Sequence, residues 1–477
     1  MMPAVGLLAA LPLLLAGELS TQLLDTTTGG GGELSILDFG GKPDGETNNQ
    51  PAIVKAMAVC EKSGGCTLRF PRGNATDQPK GPAPYHPWGA PPVAVYRTAA
   101  INLTSHLRLV LDEGVQLRGT EDFAANCGGT NRSTCDDLDS PWPVLPNAVY
   151  PSRQNSAGDD AGPVKQAFIR GYNLTDITID GGGEVHGGGG WWWYVSVVCG
   201  VAGRAQRISL AWARCGCTHR CVRMAASTVD PAKHETTGAH APRWCESMVK
   251  AGLIPDLARV QAPHMIHLIG CKNVLISNIT ISNSPEWTIH LQYSDNVTLS
   301  HVNVFNPNNV SIEAPNADGI DVDSSSNVHV RDSIFDVGDD ALCCKSGSDF
   351  DGRAVGIPSR NVLFERIEVR NGHGLTLGSE ASGGMINITY RDIFINSMGG
   401  PQAPGKRKRP GAVGSIHFKS GRGRGGHWEN ITYENIYGNG ASGAPRPAHL
   451  VSLIWFPISD LLSVMRICFS FVCLSLD

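Results

Sequence analysis

The sequence predicts an all-β solenoid, a right-handed parallel β-helix with a short N-terminal capping helix. Three observations lead there. First, one phrase recurs: Asn, then a β-branched residue, then alternating polar and apolar positions. It appears as Asn273-Val274-Leu275-Ile276, Asn296-Val297-Thr298-Leu299, Asn327-Val328-His329-Val330, Asn361-Val362-Leu363-Phe364, Asn387-Ile388-Thr389 and Asn430-Ile431-Thr432, with an earlier copy at Asn173-Leu174-Thr175. Second, the starts at 273 and 296 are 23 residues apart and those at 361 and 387 are 26 apart. A period in the low twenties with strands of a few residues matches one coil of a solenoid. Third, the chain of 477 residues carries 56 glycines and only 17% charged residues, a turn-rich balance that disfavours helical bundles. An antiparallel sandwich shares short, regularly spaced strands, but hairpin signals such as Asn-Gly are scarce here.

Each element follows from its residues. Leu37-Asp38-Phe39-Gly40 and Asp44-Gly45 precede the repeat. Residues 51–63 have helical periodicity, with Ile53, Met57 and Cys60 on one face, and Gly64-Gly65 ends them. Such a helix suits the open end of a solenoid, where it covers core and blocks edge-to-edge association. Thr67–Pro71 reads as strand, and Leu107–Leu117 gives more. In the repeat, identical polar residues on successive coils can stack as a hydrogen-bonded ladder, which accounts for the recurring Asn. The longer intervals contain loops at Gly347–Pro358 and Gly399–Gly411.

The termini and cysteines suggest a compartment. Ala4–Ala16 is apolar and short, followed by small residues, so residues 1–20 read as a secretory signal rather than a membrane span. Asn74, Asn102, Asn131, Asn173, Asn278, Asn296, Asn309, Asn387 and Asn430 all begin glycosylation sequons. Cys60 with Cys66, and Cys127 with Cys135, are close enough for local disulfides in an oxidising environment. Cys215, Cys217, His219 and Cys221 lack a second ligand pair at zinc-site spacing, so no metal is expected there. A net charge of −5 points away from nucleic acid. No stable membrane association is expected, and the chain reads as a monomer.

The β-helix is expected over residues 35–440, with two segments out of pattern. Residues 195–227 and the apolar tail 451–477 lose the periodicity at the same dipeptide, Val-Ser. Codons for Val-Ser can spell a splice donor, so both read as translated intron sequence. Sequencing of the spliced transcript distinguishes this from a genuine inserted loop and from a C-terminal membrane segment, which Asp460 and Arg466 would interrupt.

The chemistry-bearing residues come in order. Asn316-Ala317-Asp318 is followed by Gly338-Asp339-Asp340 and then Gly372-His373-Gly374, with Asp321 and Asp323 on the same strand phrase as Asp318. If these segments are successive coils, the acids stack on one face. Clustered carboxylates cannot all ionise cheaply: one holds its proton as a general acid, and another stays ionised to activate water. That is the division of labour in glycoside hydrolysis. The same set also suits a β-helical lyase, a calcium site or a non-catalytic carbohydrate-binding scaffold. Asp318 has the parity of Ile320 and Val322, so a bend at Gly319 is needed to turn it from the core.

Four motifs in order then carry a resemblance. Asn316-Ala317-Asp318-Gly319-Ile320-Asp321, Gly338-Asp339-Asp340, Gly372-His373-Gly374 and Ile416-His417-Phe418-Lys419 resemble the polygalacturonase family of glycoside hydrolases, family 28. Asp38-Phe39-Gly40 with Asp44-Gly45, and Ile179–Gly183, are similar to it as well. The resemblance covers about residues 35–194 and 228–440. It implies a secreted, cell-wall-directed enzyme that hydrolyses α-1,4-galacturonosidic bonds of pectic polysaccharide with inversion and without cofactor or metal. It further implies Asp339 as general acid, Asp318 and Asp340 as holders of the water, and His373 beside them. Lys419, His417 and Asn316 would bind substrate. The loop from Lys345-Ser346-Gly347 to Ser359 looks like that of the exo-acting branch. Two departures stand out. Ala317 replaces the family's Thr, and His417 replaces an Arg whose guanidinium fork an imidazole cannot reproduce, which suggests a less acidic or substituted galacturonan. The family's substrate-binding tyrosine of a later coil has no counterpart, since the pattern ends near Gly440. Lys406-Arg407-Lys408-Arg409 could attract a polyanion, and Trp191-Trp192-Trp193 reads as core.

Overall fold

The computed structural model describes residues 32–74, 91–120, 164–189, 262–307, 314, 316–395, 416–421 and 423–439, with short pieces at 78–79, 144–145, 445–447, 451–455 and 467–469. The signal region, Cys127–Cys135, the tryptophan triplet, the segment 195–227 and the basic run 406–409 lie outside the described residues.

Two parallel sheets wind together as a right-handed β-helix. One stacks Cys66–Phe70, Leu107–Leu111, Thr175–Asp180, Lys272–Ser282, Asp295–Phe305, Ser326–Asp336, Ser359–Asn371, Met385–Ile395 and Trp428–Asn439 in chain order. The other stacks Ile169–Tyr172, Ile266–Ile269, Ile289–Gln292, Ile320–Asp323, Leu342–Lys345, Leu375–Leu377, Ile416–Ser420 and Val451–Trp455. Spatial order equals chain order and the pairing within these stacks is parallel, which rules out the sandwich. The strand at Val451–Trp455 continues the second sheet past the point where the Asn phrase stops.

The Asn phrase marks a corner. Asn273, Asn296, Asn327, Asn361, Asn387 and Asn430 all have φ between 53° and 57°, the left-handed region that Asn tolerates better than other side-chain residues. Their amides stack: Asn296 donates to Asn273 (2.9 Å), Asn361 to Asn327 (3.0 Å), Asn387 to Asn361 (3.2 Å) and Asn430 to Asn387 (2.7 Å). The ladder breaks once, where Asn327 donates to Asp295 instead (2.7 Å). Three sequons thus fall on amides already engaged as donors, at Asn296, Asn387 and Asn430.

Five residues further on, every long strand bends again. Asn278, His301, Asp332, Arg366, Asp392 and Asn435 take φ of 47° to 56°. Two left-handed corners per coil let an 11-residue strand wrap two faces. Between them, Val274, Val297, Val328, Val362, Ile388 and Ile431 align in register and point inward. Phe364, Tyr390 and Tyr433 form a stacked column with centroids 4.8 and 4.9 Å apart. Burial of each such aliphatic side chain contributes about 1.5–3 kcal/mol.

The capping helix spans Gln50–Lys62, with Ala52, Ile53, Ala56, Met57 and Cys60 buried against the first coil. A Cys60–Cys66 disulfide joins its end to the next strand. Among the described residues no helix is long and apolar enough to cross a membrane.

Candidate active site

The second sheet presents the functional side chains because its strands alternate. In Leu342–Lys345, Leu342 and Cys344 enter the core, so Cys343 and Lys345 face outward. In Ile320–Asp323, Ile320 and Val322 enter it, leaving Asp321 and Asp323 outside. Register then builds one outward row, His267–His290–Asp321–Cys343–Thr376–His417, and beside it a second, Gln292–Asp323–Lys345. Asp318, Asp339, Asp340 and His373 occupy the turns that enter these strands. The strand starts at Ile320, after Gly319 has turned, and Gly319 N–H donates to the Asp340 carbonyl (2.8 Å). That bend frees Asp318 from the inward parity of Ile320. Gly372 stands at φ +105°, where a Cβ would collide with the Asp339 carbonyl, so only glycine lets the His373 turn settle on the Asp339 turn.

Asp318, Asp339, Asp340, His373, His417 and Lys419 come together. Asn316 does not reach them by any hydrogen bond; it sits exposed at φ 53° in the preceding loop. Ala317 is fully buried against Ala314. His373 Nδ1 lies 2.8 Å from Asp339 Oδ1 and 3.4 Å from Asp340 Oδ1. Lys419 Nζ sits 2.6 and 2.8 Å from the two oxygens of Asp340, so its ammonium is directed at the acid rather than outward. Thr376 Oγ1 also donates to Asp340 (2.9 Å). Lys345 Nζ lies 3.8 Å from Asp318, 3.5 Å from Asp321 and 3.0 Å from Glu380.

These contacts separate the acids. Burial pushes the Asp318 carboxyl well above the carboxylate range, reinforced by the charges of Asp321 and Asp339. Asp321 is pushed up to about 7, again by burial first. Burial also acts on Asp340, but His373, Lys419 and Lys345 outweigh it and hold that carboxyl below the usual range. Asp339 and Asp340 in turn raise His373 to about 9. His417 is lowered to about 4, by burial and then by Lys419, so it is a neutral imidazole at neutral pH. Side-chain exposure differs just as clearly: 22% for Asp339 and 32% for His373, against 4% for Asp340 and 3% for Asp318. Among the acids of this turn cluster, Asp339 is the carboxyl open to a ligand.

In the sequence Lys345 stands out only as the start of a loop, and Glu380 and Thr376 belong to no motif. Lys345 shares the parity of Cys343 in a strand whose other residues are apolar, which was a readable signal. Glu380 follows a turn with no periodicity to mark it. The loop after Lys345 contains a short helix, Asp349–Val355. Arg424 bonds to Ser348 and lies 3.3 Å from Asp349, and Arg353 Nη1 donates to the carbonyls of Gly423 and Arg424. The helix is thereby tied to the loop that follows Lys419.

Three turn acids, a histidine and a lysine thus gather over one sheet of a parallel β-helix. Residues 233–445 match the family model "Glycosyl hydrolases family 28". A "probable polygalacturonase" of Vitis vinifera is 27% identical over 404 residues, covering 83% of this chain and 59% of the relative. An exo-poly-alpha-D-galacturonosidase of Dickeya chrysanthemi is 26% identical over 397 residues, covering 81% and 55%. The chain thus spans between half and two thirds of the length of these relatives. Among solved structures, a hyperthermoactive exopolygalacturonase from Thermotoga maritima superposes with a TM-score of 0.53 at 21% identity, covering 84% of this chain and 75% of that one. A family 28 exopolygalacturonase from Yersinia enterocolitica gives 0.52 at 18%, covering 88% and 67%. At these identities the structures speak for the fold.

Proposed function

We propose that the protein is a secreted hydrolase of α-1,4-galacturonosidic bonds in pectic polysaccharide, working by an inverting acid/base mechanism. The observation that carries this is the division of the turn acids into an ionised Asp340, clamped by Lys419, and a more exposed Asp339 in contact with a protonated His373. Asp339 passes a proton to the departing glycosidic oxygen, and His373, at 2.8 Å, supplies that proton to it, so that the pair ends as neutral imidazole and carboxylate. Asp340 accepts a proton from the attacking water, whose oxygen bonds to the anomeric carbon as the old bond breaks. Asp318, deeper and protonated, orients that water together with Asp340. Lys345 keeps the lower acids from repelling one another.

Lys419 acts first on Asp340 in this scheme, and His417 offers a neutral imidazole where an arginine would offer a cation. Both favour a substrate unit with less charge at that position, such as a substituted galacturonate. An exo mode is supported by the names of the relatives and by the tethered helix Asp349–Val355 beside the acids, and product sizes from polygalacturonate test it. β-Elimination has no comparable support, because the two lysines near the acids are both held by carboxylates. Asp339→Asn keeps the shape and removes the donor. Loss of a positioned general acid costs typically 10²–10⁴-fold. Reducing-sugar release on polygalacturonate should fall by that factor, and undiminished release would overturn the assignment.

A further inference from the structure

On the N-terminal side of the acid cluster, the same outward row carries a second group that the hydrolytic scheme leaves unused. His264, His267 and His290 are each about 1–3% exposed, and their ring nitrogens lie within 4.8 Å of one another. His267 and His290 are register neighbours on adjacent strands and stack with centroids 4.1 Å apart. His264 enters from the preceding turn, sandwiched against Trp287 at 4.9 Å.

The surroundings orient two of the rings. His290 Nε2 lies 3.2 Å from Asp323 Oδ2, and Asp323 is itself held by the Gly347 N–H (2.9 Å). His264 Nε2 lies 3.5 Å from Glu286 Oε2. At His290 the carboxylate bonded to Nε2 favours the tautomer that carries its proton there and turns Nδ1 toward the cluster as an acceptor. The Nδ1 atoms of His290 and His264 lie 3.0 Å apart, a spacing that a shared proton or a metal cation can bridge. A carboxylate behind one imidazole, with its other nitrogen turned to a common point, is the usual second layer of a histidine metal site.

We propose that His264, His267 and His290 form a binding site for a divalent transition ion of the zinc type, separate from the catalytic acids. Imidazole nitrogen selects zinc, cobalt, nickel or copper over calcium and magnesium, which take oxygen ligands. Two nitrogens bound tetrahedrally at about 2.1 Å lie roughly 3.4 Å apart, so small ring rotations suffice. Three protein ligands leave one position open to water or to an oxygen of a bound sugar acid. The proposal stands on the geometry of the cluster and does not depend on the hydrolytic reading.

The test uses untagged, full-length protein stripped of metal with a chelator and titrated with Co²⁺ and Zn²⁺. One Co²⁺ per chain should produce visible d–d bands, and Zn²⁺ should displace it. His264→Gln and His290→Gln should each weaken binding at least tenfold. Asp323→Asn, which alters only the second layer, should weaken it about 10–100-fold. No saturable bands in the wild-type protein would overturn the proposal by itself, whatever the folding of the variants, and would leave a proton shared between the two Nδ1 atoms. Bands that survive His264→Gln and His290→Gln but vanish in His373→Gln would place the ion on Asp339, Asp340 and His373, and would overturn it equally.

Discussion

Lys419→Met removes the cation that lies 2.6 and 2.8 Å from both oxygens of Asp340 while keeping the length of the side chain. At about 4 Å and an effective dielectric near 20, a unit charge pair is worth about 4 kcal/mol, and one pKa unit is about 1.4 kcal/mol. A nearby cation accordingly shifts a carboxylate by about one to three units. In the native protein burial raises Asp340, and His373, Lys419 and Lys345 together overcome it. Without Lys419, only His373 and Lys345 oppose burial, and the carboxyl climbs by about one to three units. The base is then protonated over part of the acidic range. The assay is the pH dependence of kcat and kcat/KM for reducing-sugar release from polygalacturonate. The acidic limb should move to higher pH by that amount, with kcat falling more than KM rises. Breaking a buried pair also costs about 3–5 kcal/mol, so thermal unfolding should be recorded alongside. An unchanged acidic limb with only a raised KM would refute the reasoning, and would return Lys419 to the substrate-carboxylate contact that the family resemblance implies.

Three further outcomes follow from the same geometry. His373 is raised to about 9 by Asp339 and Asp340, so its proton stabilises the fold fully below its ordinary value near 6.5 and that stability is lost as pH rises through about 9. His373→Gln should narrow the stability difference between pH 6 and pH 10 in denaturant titrations and weaken the alkaline limb of the rate profile; an unaltered difference would contradict the pairing. Asn387→Ala removes two ladder hydrogen bonds at a left-handed corner and should cost about 1–3 kcal/mol in urea unfolding, with Asn387→Gly costing less because glycine tolerates that φ. Equal losses for the two would mean that the corner conformation contributes little. Asp339→Asn should lose activity and, by removing the first partner of His373, should lower stability at pH 6 more than at pH 10.

How much of this was legible in the sequence differs from one part of the coil to another. The first corner was readable because one residue type, Asn, serves both the left-handed φ and the ladder. The second corner was less so, because Asn278, His301, Asp332, Arg366, Asp392 and Asn435 share a φ while no single residue type repeats. The inward columns were legible from alternation, and the bend that frees Asp318 was legible from parity. The capping helix and the Cys60–Cys66 bridge fell where periodicity and spacing put them. Within the site, membership of Asp318, Asp339, Asp340 and His373 was readable from turns at coil spacing. The electrostatic split between them was not, since it depends on side-chain direction: Lys419 toward Asp340, and Lys345 beneath Asp318 and Asp321. The three-histidine cluster escaped because His264, His267 and His290 meet only through strand register and a turn.

The most direct test of the central claim is proton NMR of the first product released from polygalacturonate. An inverting attack by a water held between Asp318 and Asp340 predicts a saturated product whose new reducing end appears first as the β anomer and only then mutarotates. A first-formed α anomer would contradict the single-displacement scheme, and an unsaturated product would contradict hydrolysis itself.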